Sequence, residues 1–415
     1  MNTMQKSMSK TTGLNISNIR KQFPMLSKTI RNKPFIYLDS AATAHKPVAV
    51  IKCLEEYFSG SYGKPQEEHE LSKITTDAVN DARSKVARFF GAGDKEIVFT
   101  RGCTEGINMV AAGFAKGFLK KGDEILISAL EHHANIVPWL MACEHTGAVL
   151  KVIPITPAGE IDMDDYNTLL SAKTKMVSVS HTSHVLGTIL PVKEIIKLAH
   201  KRDIPVMLDG AQAAPHMPVD VHDLDCDFYT LSGHKMGTPT GIGVLFGKKK
   251  WLNKLPAAEG GADMAKEVSF KTYKTQDIPQ KFEAGTLPFA QIIAFGVLID
   301  FLNELDMEKS AEYEKGLLEY ATNQLTLVNG VTIVGTAEEK EPVLSFHLGK
   351  KDVKKLEKYL NEEHNIFVRA GDLSAQPLMK ILGVKGLLRV SFCYYNTRGE
   401  IDAFVAAVRS FIKNN

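Results

Sequence analysis

The sequence has little that would point to a membrane, a nucleic acid or a disulfide framework. Its five cysteines are spread over 415 residues without paired spacing, which argues against disulfides and zinc and favours the cytoplasm. No apolar run reaches the ~18 residues of a transmembrane helix, and the first residues lack the apolar stretch of a signal peptide. The net charge is only +2, which gives no electrostatic signal for nucleic acid. We therefore expect a cytoplasmic protein that binds neither membrane nor nucleic acid.

Three common catalytic motifs are absent as well. Segment 241–250, GIGVLFGKKK, has the wrong glycine spacing for a phosphate-binding P-loop, and a lysine stands where that loop has Ser or Thr. Its Gly-x-Gly is followed by Leu and Phe, so it is not a dinucleotide fingerprint. His132 and His133 are adjacent, whereas the helical zinc pair of metalloproteases has its histidines four residues apart. We expect no metal, and we interpret 241–250 as a strand and a turn.

Short apolar runs rich in β-branched residues alternate with helical patterns from about residue 35 onward. Continuous apolar strands separated by helices are typical of a mostly parallel sheet covered on both faces. The pattern predicts an N-terminal segment at 1–34, a large α/β domain at 35–290 and a smaller α+β domain at 291–415. The predicted strands of the large domain are FIYLDS (35–40), EIVFT (96–100), EILIS (124–128), KVIPI (151–155), KMVSVSH (175–181), PVMLDGAQA (205–213), DFYTLSG (227–233) and GIGVLFG (241–247).

A carboxylate follows one of these strands directly. Asp209 ends the apolar run PVMLD and precedes small residues. A capping or turn aspartate is the ordinary alternative. The functional interpretation is that Asp209 pairs with the ring nitrogen of pyridoxal 5′-phosphate (PLP) and keeps it protonated, so that the ring can accept electrons.

A lysine follows the next strand in a stretch that is rich in glycine and proline. The segment DFYTLSGHKMGTPTGIG places Ser232, His234 and Lys235 where a helix is not expected. A lysine in a loop is usually a solvated surface charge. With these neighbours Lys235 becomes a candidate Schiff-base lysine whose pKa is lowered by the site.

Two further segments follow strands and carry matching chemistry. RGCTEGIN at 101–108 opens a helix, whose N-terminal N–H groups, with the Thr104 hydroxyl, would suit a phosphate ester. In EHHAN at 131–135, His132 could lie flat against an aromatic ring. An ordinary helix cap and a core or surface histidine are the alternatives. Because all four segments follow strands, they can converge at one edge of the sheet.

These segments resemble those of class V aminotransferase-like enzymes of PLP fold type I, most closely the group II cysteine desulfurases and selenocysteine lyases. The resemblance runs from about residue 20 to the C-terminus. It implies a PLP enzyme that acts on a small amino acid and forms a homodimer with shared active sites. The motifs that carry it, in the family's order, are YLDSAAT, RGCTEGIN, EHHANIVPW, LDGAQA, DFYTLSGHK, FEAGT and RVSFCYYNT.

The resemblance implies a role for each matching residue. Lys235 would form the Schiff base, Asp209 would hold the ring nitrogen, and His132 would stack on the ring. Gln212 would lie near the ring hydroxyl. Arg389 would bind the substrate carboxylate, a task that suits a planar bidentate donor. The cofactor phosphate would be held by Cys103, Thr104, Ser232 and His234, with Thr286 reaching the phosphate of the partner subunit.

The most consequential departure from the family pattern is the loss of a cysteine. Where the family carries its persulfide-forming cysteine in a Gly-His-His-Cys-Ala type of loop, residues 371–376 read Gly-Asp-Leu-Ser-Ala-Gln. A serine hydroxyl such as that of Ser374 is a poor nucleophile toward sulfur and cannot hold a persulfide. Cys393 lies near Arg389 in the sequence, but nothing identifies it as a substitute.

Two other departures fall in the substrate half of the site. His184 replaces the usual asparagine next to the cofactor's ring oxygen and the substrate carboxylate. Residues 65–67, Pro-Gln-Glu, stand where a His-Arg-Gly segment is expected. We therefore interpret the cofactor half as intact, and the substrate half, with Arg389, His184 and Ser374, as remodelled.

The leading hypothesis is a PLP-dependent lyase that acts at Cβ of a small amino acid without a persulfide cysteine. Cysteine, selenocysteine, cysteine sulfinate or a cysteine conjugate would be substrates, with Lys235 removing the α-proton. One alternative is a transaminase, epimerase or β-decarboxylase that uses His184 as an added acid or base. Another is a non-catalytic partner in sulfur transfer, against which the intact Lys235 and Asp209 argue.

Overall fold

The computed structural model describes residues 13–65 and 67–414. The beginning of the predicted N-terminal segment, residues 1–12, lies outside the described residues, as does Gln66 of the departure at 65–67. None of the helices in the described ranges combines the length and the hydropathy that a membrane span requires.

A seven-stranded sheet forms the centre of the large domain. Its strands are β1 (Ile97–Thr100), β2 (Glu124–Ser128), β3 (Val149–Ile153), β4 (Thr174–Ser180), β5 (Val206–Asp209), β6 (Phe228–Ser232) and β7 (Gly243–Gly247). Their spatial order is β1-β7-β6-β5-β4-β2-β3; β7 runs antiparallel to β1 and β6, and the other pairs are parallel. Most strands are buried along their whole length, which explains their continuous apolar sequences. The predicted, mostly parallel sheet is confirmed.

Helices cover both faces of this sheet. Along β2, Leu126 belongs to one core cluster, whereas its neighbours Ile125 and Ile127 belong to another, because successive strand side chains point to opposite faces. Residues after β7 form the helix Lys249–Lys254, so the expectation of a simple turn there is wrong. The longer helices of this domain are Val48–Glu56, Glu70–Phe89, Cys103–Gly117, Val137–Thr146, Val192–His200 and Phe289–Leu305; the shorter ones are Met163–Leu169, Val221–Leu224 and Gly233–Met236.

The smaller domain has its own antiparallel sheet and core. The strands are β8 (Thr332–Val334), β9 (Val343–His347), β10 (Arg369–Gly371) and β11 (Leu387–Ser391), and their spatial order is β8-β9-β11-β10. Three helices pack with this sheet around a third apolar cluster: Met307–Thr326, Val353–His364 and Arg398–Asn414. The short helix Gln376–Ile381 instead contributes Leu378 and Met379 to the core of the large domain. The predicted α+β character is confirmed.

The chain crosses between the two cores at places that differ from the sequence-based boundaries. The run FIYLDS was expected in the large sheet, but Ile36–Tyr37 pairs in parallel with Ile366–Phe367 of the smaller domain. An apolar strand does not reveal its partner, so that expectation is wrong. The helix Phe289–Leu305 contributes Ile292 and Phe295 to the large core. We propose a domain boundary at about residue 306 in place of 290.

The remaining elements are short. They are the helix Ile16–Lys21, the hairpins Thr29–Ile30 with Lys33–Pro34 and Ala265–Val268 with Tyr273–Thr275, the π-helical turn Tyr57–Ser61, and the 3-10 turns Pro24–Ser27, Asp94–Glu96, His133–Asn135 and Gln280–Phe282.

Candidate active site

A cavity of about 500 Å³ lies at the carboxyl edge of the large sheet, where the smaller domain closes over it. Segments that follow β1, β2, β4, β5 and β6 contribute to its lining, as expected for a ligand site in an open α/β sheet. Thr286 is not part of the lining and is exposed. The sequence-predicted residues that line the cavity are Cys103, Thr104, His132, His184, Asp209, Gln212, Ser232, His234, Lys235, Ser374 and Arg389.

One end of the cavity is formed by the N-terminus of the helix Cys103–Gly117. The Cys103 backbone N–H donates to Ser232 Oγ over 2.8 Å, which joins the helix start to the end of β6. A Cβ atom added at Gly106 would lie 2.3 Å from Thr230 Oγ1, so glycine is needed for the helix to approach the strand this closely. The helix N-terminus therefore presents its positive dipole end to the cavity.

His234 lies beside this end as a neutral side chain. Its Nδ1 is 3.2 Å from Thr43 Oγ1, and Lys46 Nζ donates to its backbone carbonyl over 3.0 Å. Burial, together with the positive charges of Lys235 and Lys46, lowers the pKa of His234 to about 4. An uncharged imidazole N–H is therefore available as a hydrogen-bond donor.

Lys235 and Asp209 share the middle of the cavity. Desolvation lowers the pKa of the Lys235 amine, and the Asp209 carboxylate opposes that shift. Asp209 Oδ1 accepts from the Ala211 backbone N–H at 2.9 Å and from the Cys103 thiol at 3.1 Å. Burial, followed by the charge of Asp209, raises the pKa of Cys103 well above its usual value. Cys103 is therefore a neutral thiol that orients the carboxylate, not a nucleophile.

A buried carboxylate holds the turn that carries His132. Glu131, 1% exposed, accepts from the Ser180 backbone N–H at 2.9 Å, from its hydroxyl at 2.7 Å and from Asn135 Nδ2 at 2.7 Å. These bonds tie the turn after β2 to the end of β4. His132 Nδ1 accepts from the Ala134 N–H at 3.0 Å, and burial lowers its pKa to about 4. His132 is thus a neutral ring held in a fixed orientation.

Several buried polar atoms in the cavity wall lack a hydrogen-bond partner among the described residues. They include both amide atoms of Gln212, Nδ1 of His184 and Nε of Arg389. Because native proteins seldom leave buried polar groups unpaired, these atoms indicate a polar ligand.

Two arginines on the smaller domain share one aspartate. Asp39 accepts from Arg369 Nη2 at 2.9 Å and from Arg389 Nη2 at 3.2 Å. Arg389 also donates through Nη1 to the His184 carbonyl at 2.9 Å. The residues predicted from the sequence do not include Asp39, Arg369 or the cavity-lining Lys354. The available signal for Asp39 and Arg369 was a charged residue inside an apolar run, FIYLDS at 35–40 and NIFVRAG at 365–371.

The loop 371–376 forms the wall opposite the sheet and carries Ser374. Of the five cysteines, all within the described ranges, Cys103 alone lines the cavity. Cys393 is 3% exposed and belongs to the hydrophobic core, and burial raises its pKa well above the usual value. Cys393 is therefore a core residue and not a thiol of the cavity.

Known proteins resemble this chain over most of its length. The model of the family described as aminotransferase class-V matches residues 36–404. A probable cysteine desulfurase of Mycolicibacterium paratuberculosis is 44% identical over 396 residues, which are 95% of this chain and 58% of the relative. A probable cysteine desulfurase of Halalkalibacterium halodurans is 42% identical over 392 residues, 94% of this chain and 96% of the relative. The chain thus spans little more than half of the first relative's length.

Solved structures give the same result. The cysteine desulfurase CsdA of Escherichia coli, in its S-sulfonic acid form, superposes with a TM-score of 0.90 at 38% identity, over 96% of this chain and 99% of that one. The apo cysteine desulfurase of Thermococcus onnurineus superposes with a TM-score of 0.91 at 31% identity, over 96% and 98% of the two chains.

Proposed function

The chain belongs to the class-V aminotransferase family of PLP enzymes, and from that premise we propose that it is a lyase that cleaves the bond between Cβ and a sulfur or selenium substituent of a small amino acid. We further propose that it does so without a persulfide on its own chain. The observation that carries the proposal is a cavity in which Lys235 and Asp209 face two arginines, while the loop opposite the sheet offers a serine.

The residues present fit the cofactor. The helix N-terminus at Cys103–Gly117, with Ser232 and the neutral His234, would hold a phosphate ester. The unpaired Gln212 amide would bond the ring hydroxyl, and Asp209 would pair with the ring nitrogen. Bound PLP supplies an electron-accepting ring that stabilises negative charge at Cα.

Lys235 is the residue proposed to move the proton. Its lowered pKa favours the neutral amine. That form would hold the cofactor covalently and, once released from it, would move a proton at Cα of the substrate. His132, a neutral ring in a fixed orientation, would lie against the cofactor ring and limit its movement.

The substrate carboxylate is assigned to Arg389. Its Nη groups are engaged by Asp39 and the His184 carbonyl, whereas its buried Nε has no partner and remains free for a ligand oxygen. Arg369 and Lys354 also line the cavity. Their positive charges favour an anionic β-substituent, so cysteine sulfinate is the first substrate to test, followed by selenocysteine and a cysteine conjugate.

A role for His184 as a catalytic acid receives less support. Its Nε2–H donates to the Leu373 carbonyl at 2.9 Å, and burial keeps its pKa well below the usual value, so the ring is neutral with its proton on Nε2. An imidazole whose only proton is engaged by a backbone carbonyl is not positioned to donate it to a substrate carbon. The transaminase, epimerase and β-decarboxylase alternatives therefore lose the acid that motivated them and keep only the unpaired Nδ1 of His184 as a base.

The test is a product analysis of the cofactor-loaded protein. We expect L-cysteine sulfinate to give alanine and sulfite, and selenocysteine to give alanine and elemental selenium, with no sulfur bound to the protein. Formation of alanine from L-cysteine together with a protein-bound persulfide would contradict the persulfide-free mechanism. A keto acid formed by amino-group transfer, without an elimination product, would contradict the lyase.

We also propose a cytoplasmic homodimer with shared active sites. Thr286 is exposed and lies outside the cavity of its own chain, which is compatible with a contact to the cofactor phosphate of a partner subunit. Sedimentation of the cofactor-loaded protein tests the dimer, and Thr286→Ala should weaken cofactor binding only if the dimer forms.

A further inference from the structure

We propose that His184 is a positioning residue that fastens the loop 371–376 to the large domain, so that Ser374 belongs to a fixed cavity wall and not to a mobile arm. The inference concerns the same cavity as the proposed lyase. It does not depend on which reaction the cavity supports, because it is tested on the motion of the loop.

The first observation is the bond between His184 and the loop. His184 Nε2 lies 2.9 Å from the Leu373 carbonyl oxygen. A carbonyl oxygen only accepts, so Nε2 carries the proton and Nδ1 is left as an acceptor. His184 is 5% exposed, and burial, with the nearby His132 and Arg389, lowers its pKa well below the usual value. The bond therefore persists across the ordinary pH range.

A second pair of bonds holds the same loop from the turn after β2. The His133 backbone N–H donates to the Ser374 carbonyl at 2.9 Å, and the Gln376 N–H donates to His133 Nε2 at 3.2 Å. The loop is thus attached to the large domain on both sides of the Ser374 side chain.

The backbone of the loop needs such support. Leu373 and Ser374 have φ values of 55° and 57°, the left-handed region that is unfavourable for residues with a Cβ atom. Two consecutive residues in this region persist only when surrounding contacts hold them. The bonds to Leu373 O and Ser374 O provide these contacts.

Packing places the loop with the large domain as well. Leu373 and Ala375 are buried and belong to the apolar cluster of the large domain. Ala370 and Leu388, on the adjoining strands β10 and β11, belong to the cluster of the smaller domain. The loop therefore crosses the domain boundary. Its apolar side chains pack in the core of the large domain, although the strands that flank it belong to the smaller domain.

His184 also connects the loop to the substrate side of the cavity. Its backbone carbonyl accepts from Arg389 Nη1, and its ring lies edge-on to that of His132, with centroids 4.8 Å apart. An asparagine, the residue usual at this position in the resembling family, ends closer to the backbone than Nε2 does. It would not reach the Leu373 carbonyl from the same backbone position.

The experiment compares His184→Asn with His184→Gln, which carry the same amide and differ by one methylene group. The Gln side chain can place its N–H near the position of His Nε2, whereas the Asn side chain cannot. Hydrogen–deuterium exchange of the full-length, cofactor-loaded proteins is followed by mass spectrometry in peptides that cover residues 371–376. Peptides that cover β9 and the segment 233–236 report on the integrity of the two domains.

We expect the His184→Asn variant to exchange about tenfold faster than the unaltered protein in 371–376 alone, the effect of one lost hydrogen bond. The His184→Gln variant should exchange at nearly the original rate. Equal rates in all three proteins would overturn the proposal, and so would equally fast exchange in both variants. If the His184→Asn variant folds poorly, the His184→Gln variant is sufficient for the test. Fast exchange in the loop of a well-folded His184→Gln variant would overturn the proposal.

Discussion

The two halves of the cavity are held in place by different kinds of contact. In the cofactor half, Asp209 and Ser232 are the last residues of β5 and β6, and the pairing of those strands sets their positions. In the substrate half, Arg389 depends on Asp39 and on the His184 carbonyl. The first half is built within one sheet and the second between two domains. The substrate half can therefore be altered without disturbing the sheet.

The departures expected from the sequence follow this division. Ser374 and His184 belong to the wall where the smaller domain meets the large one, whereas Asp209 and Ser232, which were expected to match the family, lie at strand ends. A change at a strand end alters a buried, fully paired region, and such changes are usually costly. A change in an interdomain loop can be compensated by one new contact, as the bond from His184 to Leu373 illustrates.

The largest effect is expected in the cofactor half, from Lys235→Ala. Removing the amine should lower turnover by about 10³-fold or more, because covalent attachment and proton transfer are both lost. Borohydride reduction followed by peptide mass spectrometry should then find no cofactor on the chain.

Lys340 provides the matched control for that variant. Burial lowers the pKa of Lys340 to about 8, its amine donates to the Gly335 carbonyl, and its side chain does not line the cavity. Lys340→Met should keep both activity and the reducible cofactor. Full turnover by the Lys235→Ala variant would refute the assignment of this half.

The next prediction concerns the pH dependence of stability. It tests Glu131, the buried residue that holds the turn of His132 in the cofactor half. Burial raises the pKa of Glu131 from its ordinary 4.5 to about 7. The folded protein therefore keeps a proton that the unfolded chain has released, so stability should decrease as the pH rises between these values. The loss is on the order of 3 kcal/mol, and urea unfolding at about pH 5 and about pH 8 measures it.

Glu131→Gln removes that titration, so the variant should show a smaller decrease over the same pH range. Part of the decrease should remain, because burial raises the pKa of Glu341 to about 7 as well. Glu341→Gln is the matched control and should remove the other part. An unchanged pH dependence in the Glu131→Gln variant would mean that this carboxyl is ionised in the fold.

In the substrate half, Arg389→Lys should raise KM about tenfold or more with a smaller change in kcat. A lysine keeps the charge but loses the planar donor arrangement, a difference of about 1.5 kcal/mol for a charged hydrogen bond. Arg369→Lys is the comparison, because its half-exposed side chain should contribute less. A larger rise in KM for the Arg369 variant would indicate that Arg369, and not Arg389, binds the substrate carboxylate.

The smallest effect is expected from Ser374→Cys. Restoring a thiol in a loop that His184 and His133 hold in place should not produce a persulfide when the variant is incubated with L-cysteine. Intact-protein mass spectrometry detects the added sulfur. Sulfur on the introduced cysteine would show that this substrate half fails to form a persulfide only because it lacks the thiol.

Much of the cofactor half could be predicted because each residue follows a recognisable strand. Asp209, His132 and Lys235 each come after an apolar run, and parallel strands bring such positions to one edge. The strand at Ile36–Tyr37 was assigned to the wrong sheet, since an apolar run is compatible with either core. Asp39 and Arg369 were overlooked because their role depends on a contact between residues that lie 330 positions apart in the sequence.

The family, the alternation of strands and helices, and the residues at the carboxyl edge can be predicted from the sequence, because local patterning and chain direction specify them. The tertiary structure was needed to show which nitrogen of His184 carries the proton, which core contains Leu373, and that Asp39 accepts hydrogen bonds from two arginines. These features depend on burial and on contacts between distant segments. Both arise when the two domains meet, so no local pattern encodes them.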